Sequence, residues 1–154
     1  MRRKDREITD ISRINELIAG CKVCRMAMCD GSKPYVVALN FGYTEADGVF
    51  TFYFHSAKEG RKLDILKANP AVCLELDWAG DVVESPNPCA YGYQFASVIA
   101  EGNVEFISDE SEKAAALSCL MLHMTGKEFA FTPQMTQGVC VYKVKADSLT
   151  CKIR

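Results

Sequence analysis

The sequence predicts a mainly β, α+β fold: a small antiparallel barrel with about three flanking helices. Six or seven β-prone segments are joined mostly by short turn sequences, and three helical segments do not alternate regularly with them, which excludes a doubly wound parallel sheet. A closed antiparallel sheet also removes exposed edges. Size fits the same picture. A chain of 154 residues, 49% hydrophobic and 25% charged, buries about 70% of the surface its unfolded state exposes, so one domain spanning 1–154 has a core without staples.

The elements follow in order. Asp10 caps a helix that carries Ile11, Ile14, Leu17 and Ile18 on one face, with Gly20 as its stop. Val23 to Cys29 is a strand, Asp30-Gly31-Ser32-Lys33-Pro34 a turn, and Tyr35 to Tyr43 the return strand of a hairpin. Glu45-Ala46-Asp47-Gly48 turns the chain into Val49–Phe54, too aromatic and β-prone for a helix. Ser56-Ala57-Lys58-Glu59 has the form of a capping box, so a second helix is expected from Ser56 through Leu63 and Leu66, stopping near Asn69-Pro70. Ala71–Leu76 alternates as a strand, and Asp77 to Gly92, with Pro86 and Pro88, is expected as a long loop. Ser97–Ile107 is a strand with a bend at Gly102. A third helix opens at Asp109-x-x-Glu112, carries Leu117, Leu120, Met121 and Met124, and closes at Gly126. Residues 127–137 are irregular, and Val139–Val144 and Leu149–Ile153 are two terminal strands.

Charge and cysteines narrow the function classes. Eighteen Lys+Arg against 20 Asp+Glu leave a net charge of −2, which argues against nucleic acid as a partner. No segment reaches the roughly 18 consecutive apolar residues of a membrane span, and the basic start Met1-Arg2-Arg3-Lys4 runs into Asp5, Arg6 and Glu7 rather than a signal peptide's apolar stretch. Eight cysteines without export read as reduced thiols in a cytoplasm, most of them small core residues. Cys21-Lys22-Val23-Cys24 has metal or redox spacing, but no second such pair exists and the pair does not open a helix, so no metal is expected.

The most informative stretch is His55 to Lys62. Lys58, Arg61 and Lys62 crowd a helix start, where cations oppose the macrodipole. Such local conflict is expected at functional sites, and an anion over the free amides would relieve it. Ser56, Gly60, Arg61 and Lys62 would then hold a phosphate, with His55 within chain reach; the competing reading is a solvated face that only keeps the protein soluble. G-x-x-x-x-G-K-[ST] and G-x-G-x-x-G are both lacking, so a planar phosphorylated cofactor on barrel strands fits better than a nucleoside triphosphate. His123, Trp78, Tyr91 and Tyr93 have ordinary packing roles open to them beside any site role.

Arg25 to Tyr43, with Cys29-Asp30-Gly31-Ser32-Lys33-Pro34-Tyr35-Val36-Val37-Ala38-Leu39-Asn40-Phe41 at its centre, followed by Phe54-His55-Ser56-Ala57-Lys58-Glu59-Gly60-Arg61-Lys62, Asn69-Pro70 and Ser97 to Gly102, resembles the FMN-binding split-barrel proteins related to pyridoxamine 5′-phosphate oxidase, in their Nim-like, or nitroimidazole-resistance, branch. The resemblance covers nearly the whole chain. It implies an antiparallel Greek-key split β-barrel and a homodimer with FMN at the subunit interface. His55, Ser56, Arg61 and Lys62 would hold the phosphate end, Ala38, Leu39 and Asn40 would line the ribityl and ring through their backbone, and Ser97 would face a flavin. Cys24 stands where relatives often have Gly, and Ala38 where Pro is common.

The function implied is an FMN-dependent oxidoreductase that passes electrons from NAD(P)H or another donor to a small acceptor such as a nitro-aromatic compound. The flavin does the redox chemistry, so no catalytic side chain is named. Two other classes stand beside it: a non-catalytic flavin-binding or sensor protein, and a haem-binding split barrel.

Overall fold

The computed structural model describes residues 3–154; Met1 and Arg2 of the basic start lie outside the described residues. A 3-10 turn at Lys4–Arg6 leads into β1 (Glu7–Ile8) and α1 (Ile11–Gly20). The Asp10 carboxylate accepts from the Arg13 amide at 2.8 Å, the expected cap. Gly20, expected as the stop, is instead the last helical residue, and the chain leaves through Cys21 in extended conformation.

β2 (Cys24–Asp30) and β3 (Lys33–Leu39) form the expected hairpin around Gly31. The single strand expected from Tyr35 to Tyr43 is two. The chain breaks at Asn40-Phe41 and resumes as β4 (Gly42–Ala46), which turns through Asp47 (φ 52°) and Gly48 (φ 80°) into β5 (Val49–Ser56). Two successive positive φ values match the right-handed twist of the flanking strands.

α2 (Arg61–Ala68) starts at Arg61, not at Ser56. Ser56 ends β5, and its hydroxyl donates to Ala57 O at 2.9 Å, so the capping box does not form. β6 (Ala71–Val83) and β7 (Gly92–Phe106) then pair across most of the expected loop. Both prolines of that segment fall in residues 84–91, which leaves the flanking amides free for the ladder. α3 (Glu110–Thr125) is capped by Asp109 and stopped by Gly126 in the left-handed region, both as expected. The segment read as irregular contains α4 (Pro133–Thr136), and the two terminal strands are one, β8 (Cys140–Ile153). Its break is absorbed as a bulge: Glu101 pairs with Ser148 and Gly102 with Ala146, so Asp147 is extra. A Cβ on Gly102 would lie 2.5 Å from Lys145 O.

The strand order is β3-β2-β6-β7-β8-β5-β4, antiparallel throughout, with β1 on β8. Strands β6, β7 and β8 run as a meander and β5 returns beside β8, a Greek key. β3 and β4 are the two edges of this order, yet only Asn40 and Phe41 separate them in the chain. The sheet must therefore curl until its ends meet, without pairing there: a barrel with a split.

Period-two alternation fills this barrel. Phe50, Phe52 and Phe54 point inward with Phe41, Met26, Leu74 and Val144, while Thr51, Tyr53 and His55 point outward. A smaller cluster of Ile107, Ala116, Leu117 and Val141 seats α3 on the outer face. Gly42 makes that seat close: a Cβ there would lie 2.5 Å from Leu120 N. Among the described residues no helix is long and apolar enough to cross a membrane.

Candidate functional site

The start of α2 faces the end of β3 across a groove of about 370 Å3. Ala38 and Leu39 form one wall, and Ser56, Gly60, Arg61 and Lys62 the other. Gly60 precedes the helix at φ 135°, a backbone open to glycine, and nothing within 4 Å occupies the place of its missing Cβ. No side chain caps the helix, so the Arg61 and Lys62 amides have no acceptor within it.

The cations are held from opposite sides. Arg61 donates through Nε (3.2 Å) and Nη2 (2.8 Å) to one oxygen, Oδ2 of Asp30, and its guanidinium lies 4.4 Å from the Tyr35 ring centroid. Its Nη1 has no partner among the described residues. Lys62 is half-buried with Nζ 5.7 Å above the Tyr142 ring, and burial lowers its pKa. Tyr142 has no exposed surface, and its hydroxyl has no hydrogen-bond partner among the described residues. Burial raises the phenol's pKa, with Cys140 adding to the rise and the neighbouring Ser56 hydroxyl opposing it.

The remaining sequence-predicted residues lie outside the groove lining. Asn40 donates to Lys22 O at 3.0 Å and ties down the split. His55 points to the face opposite Ser56; burial and the Lys62 charge lower its pKa. Ser97 lies on the outer face of the sheet between Asp77 and Lys152. Ala38 shares that face, in a row with Arg25, Glu75 and Ile99. Arg25 donates to Glu75 at 3.0 Å and also to Asp77.

Asp30, Tyr35 and Tyr142 join the site, and Arg25 the outer face beside Ala38, without having been singled out in the sequence. For Arg25 a signal existed: Glu75 and Asp77 are spaced by two on a strand, so both acids face one way. Of the cysteines, Cys21, Cys24 and Cys151 are buried, Cys73, Cys119 and Cys140 half-buried, and Cys29 and Cys89 exposed, so core packing describes only some of them. Cys21 donates weakly to Leu17 O and Asp77 O, and burial pushes the Cys24 thiol up to about 12. Both are thiols at neutral pH. His123 packs between Phe41 and Tyr43 with Nε2 2.8 Å from Cys21 O. Trp78, Tyr91 and Tyr93 are exposed on the β6–β7 arm.

Residues 10–153 match the family model described as pyridoxamine 5′-phosphate oxidase. The chain belongs to this family. A candidate 5-nitroimidazole antibiotic resistance protein from Bacteroides thetaiotaomicron is 35% identical, with 96% of this chain and 86% of that chain covered and a TM-score of 0.82. It places the chain beside the Nim-like members of the pyridoxamine 5′-phosphate oxidase family. An FAD and haem binding protein from Mycobacterium smegmatis (16% identity, 96% and 73% covered, TM-score 0.83) and a flavocytochrome from Azotobacter vinelandii (20%, 100% and 72%, TM-score 0.81) share the fold. No curated protein matches the chain.

Proposed function

We propose that residues 1–154 form one FMN-binding domain that works as an oxidoreductase, passing electrons from NAD(P)H or another donor to a small acceptor such as a nitro-aromatic compound. The observation that carries the reading is the groove's one-sided polarity. At its α2 end it gathers the Ser56 hydroxyl, the free Nη1 of Arg61, the Lys62 ammonium and two uncapped amides, donors that outnumber the one carboxylate in the lining, Glu59. A phosphate monoester supplies charged acceptors for these donors. The orphaned Tyr142 hydroxyl beneath it is a further unmet donor.

In this reading Ser56, Gly60, Arg61 and Lys62 hold the phosphate, and the backbone of Ala38, Leu39 and Asn40 lines the ribityl chain and ring. FMN, when bound, supplies the electron transfer. The chain's own residues orient the cofactor, and Asp30 and Tyr35 fix the Arg61 guanidinium with its Nη1 left to donate. His55 and Ser97 lie on outward faces, where a second copy of the chain would bring them to its flavin, and the exposed Val36 beside Ala38 suits a covered face. A homodimer follows as part of the proposal. Eight free thiols fit a reducing cytoplasm. Similarity to the resistance protein supports the nitro-aromatic acceptor.

The test is the colour of the purified protein and its response to reductant. A yellow protein that releases FMN and bleaches anaerobically with NADH or NADPH, then recovers with a nitro-aromatic acceptor, is expected. Protein that takes up no FMN, or shows a haem spectrum instead, overturns the cofactor; FMN that neither nucleotide bleaches leaves a flavin carrier and overturns the NAD(P)H-dependent reaction.

A further inference from the structure

We infer that Tyr142 and Ser56 form a hydroxyl relay under the anion end of the groove: when a phosphate monoester binds, Ser56 turns from Ala57 O, donates to the phosphate and accepts from the buried Tyr142 hydroxyl. The inference rests on the phosphate reading of the same groove and names a positioning residue within it.

Tyr142 stands where the fold asks for phenylalanine. On β8 it pairs with Phe54 on one side and Phe106 on the other, stacking on Phe54 at 5.7 Å and 19°. The ring packs as its neighbours do, but the hydroxyl adds a donor with no acceptor in a fully buried position. Such groups are rare because they are destabilising, and each calls for an explanation. Packing gives none here.

Ser56 supplies one. It ends β5 opposite Cys140, two residues before Tyr142 on β8, so Ser56 and Tyr142 are diagonal neighbours on one face of the sheet, with the Ser56 hydroxyl among the groups that bear on the phenol. In this structure that hydroxyl is spent on the carbonyl of the next residue, Ala57, which is exposed and can turn to water instead. Bonds of this local kind compete poorly with a charged acceptor. A serine hydroxyl carries one donor and two acceptor lone pairs, so it can give its proton to a phosphate oxygen and receive the Tyr142 O–H at once. No proton changes owner; one hydrogen bond, to Ala57 O, is given up and two are gained. The Lys62 ammonium above the Tyr142 ring sits on the same side and meets the same anion.

The relay acts only through the phosphate, so it separates FMN from riboflavin, which has none. Tyr142→Phe is expected to weaken FMN binding about three- to tenfold, the worth of one neutral hydrogen bond, to leave riboflavin binding unchanged, and to leave the apoprotein as stable as before or more so. In a Ser56→Ala background the same substitution is expected to do nothing more to FMN. Should Tyr142→Phe not fold, the FMN-to-riboflavin ratio is read in Ser56→Ala, where it falls, and in Ser56→Thr, where the retained hydroxyl restores it. An unchanged ratio in folded Tyr142→Phe, or an equal loss with and without Ser56, overturns the relay. Wild-type protein that takes up neither FMN nor inorganic phosphate overturns the groove itself, which is a different result.

Discussion

At the scale of single residues, the groove works through charges held in place. Arg61 is fixed by Asp30 and Tyr35, whereas Lys62 is half-buried over Tyr142. Charge-assisted bonds are worth about 1.5–3 kcal/mol each, so Arg61→Ala with Lys62→Ala is expected to weaken FMN binding at least tenfold in a fluorescence titration. The fold should survive, since the Arg61–Asp30 pair is exposed and pairs of that kind contribute about 0.2–1 kcal/mol. Unchanged affinity would return this helix start to a solvated face. His123 makes a pH prediction. Burial is the main cause lowering its pKa, the bond to Cys21 O opposes it, and the Lys22 charge adds to it. The unfolded chain therefore binds the proton more readily, so stability is full above the ordinary histidine value of about 6.5 and falls as pH drops below it. Melting temperature should decline from pH 7 to 5, and His123→Gln, which keeps an N–H for Cys21 O, should flatten the decline. An equal decline in the variant would assign it elsewhere, for instance to His55, whose pKa is also lowered.

At the scale of elements, two glycines set geometry for different reasons. Gly42→Ala forces a Cβ to within 2.5 Å of Leu120 backbone, and backbone cannot swing aside as a side chain can. We expect a loss of about 1–3 kcal/mol by urea unfolding, from displaced α3. Gly60→Ala meets no atom, so its cost comes from φ 135° alone and is relieved if α2 shifts its start; it should lower FMN affinity more than stability. These elements also show what was legible beforehand. Asp10, Asp109 and Gly126 mark helix ends through local chemistry, and all three do so in the structure. Ser56 and Glu59 carry an equally good local signal that fails, because β8 holds Ser56 in the sheet as far as Cys140. Tertiary pairing outweighs a cap. The same holds for β6, whose extension to Val83 depends on a partner, β7, that no local pattern names. For the groove, Ser56, Gly60, Arg61 and Lys62 were readable because they lie within seven residues. Asp30 and Tyr142 were not, since they reach the groove from 31 positions before Arg61 and from the far strand β8.

At the scale of the whole molecule, the outer face of β3, β2, β6 and β7 carries Ala38, the Arg25–Glu75–Asp77 cluster and Ser97 together. If a second copy covers this face, sedimentation will show a dimer, and Val36→Asp should shift it toward monomer and loosen FMN in parallel; a monomer that retains FMN tightly would separate the flavin site from any interface. β8 gives the architecture a direction in time. It is the one strand bonded to β1, β5 and β7 alike, and it follows them all in the chain. During synthesis the ribbon of β4 and β5 and the larger sheet of β3, β2, β6 and β7 therefore wait side by side, edges bare, until the fourteen residues of β8 have been made. A chain ended at Gly138 is expected to bind a hydrophobic dye and to lack fixed aromatic packing. β8 is then a lock, and a nascent chain without it is the form that chaperones would have to shelter.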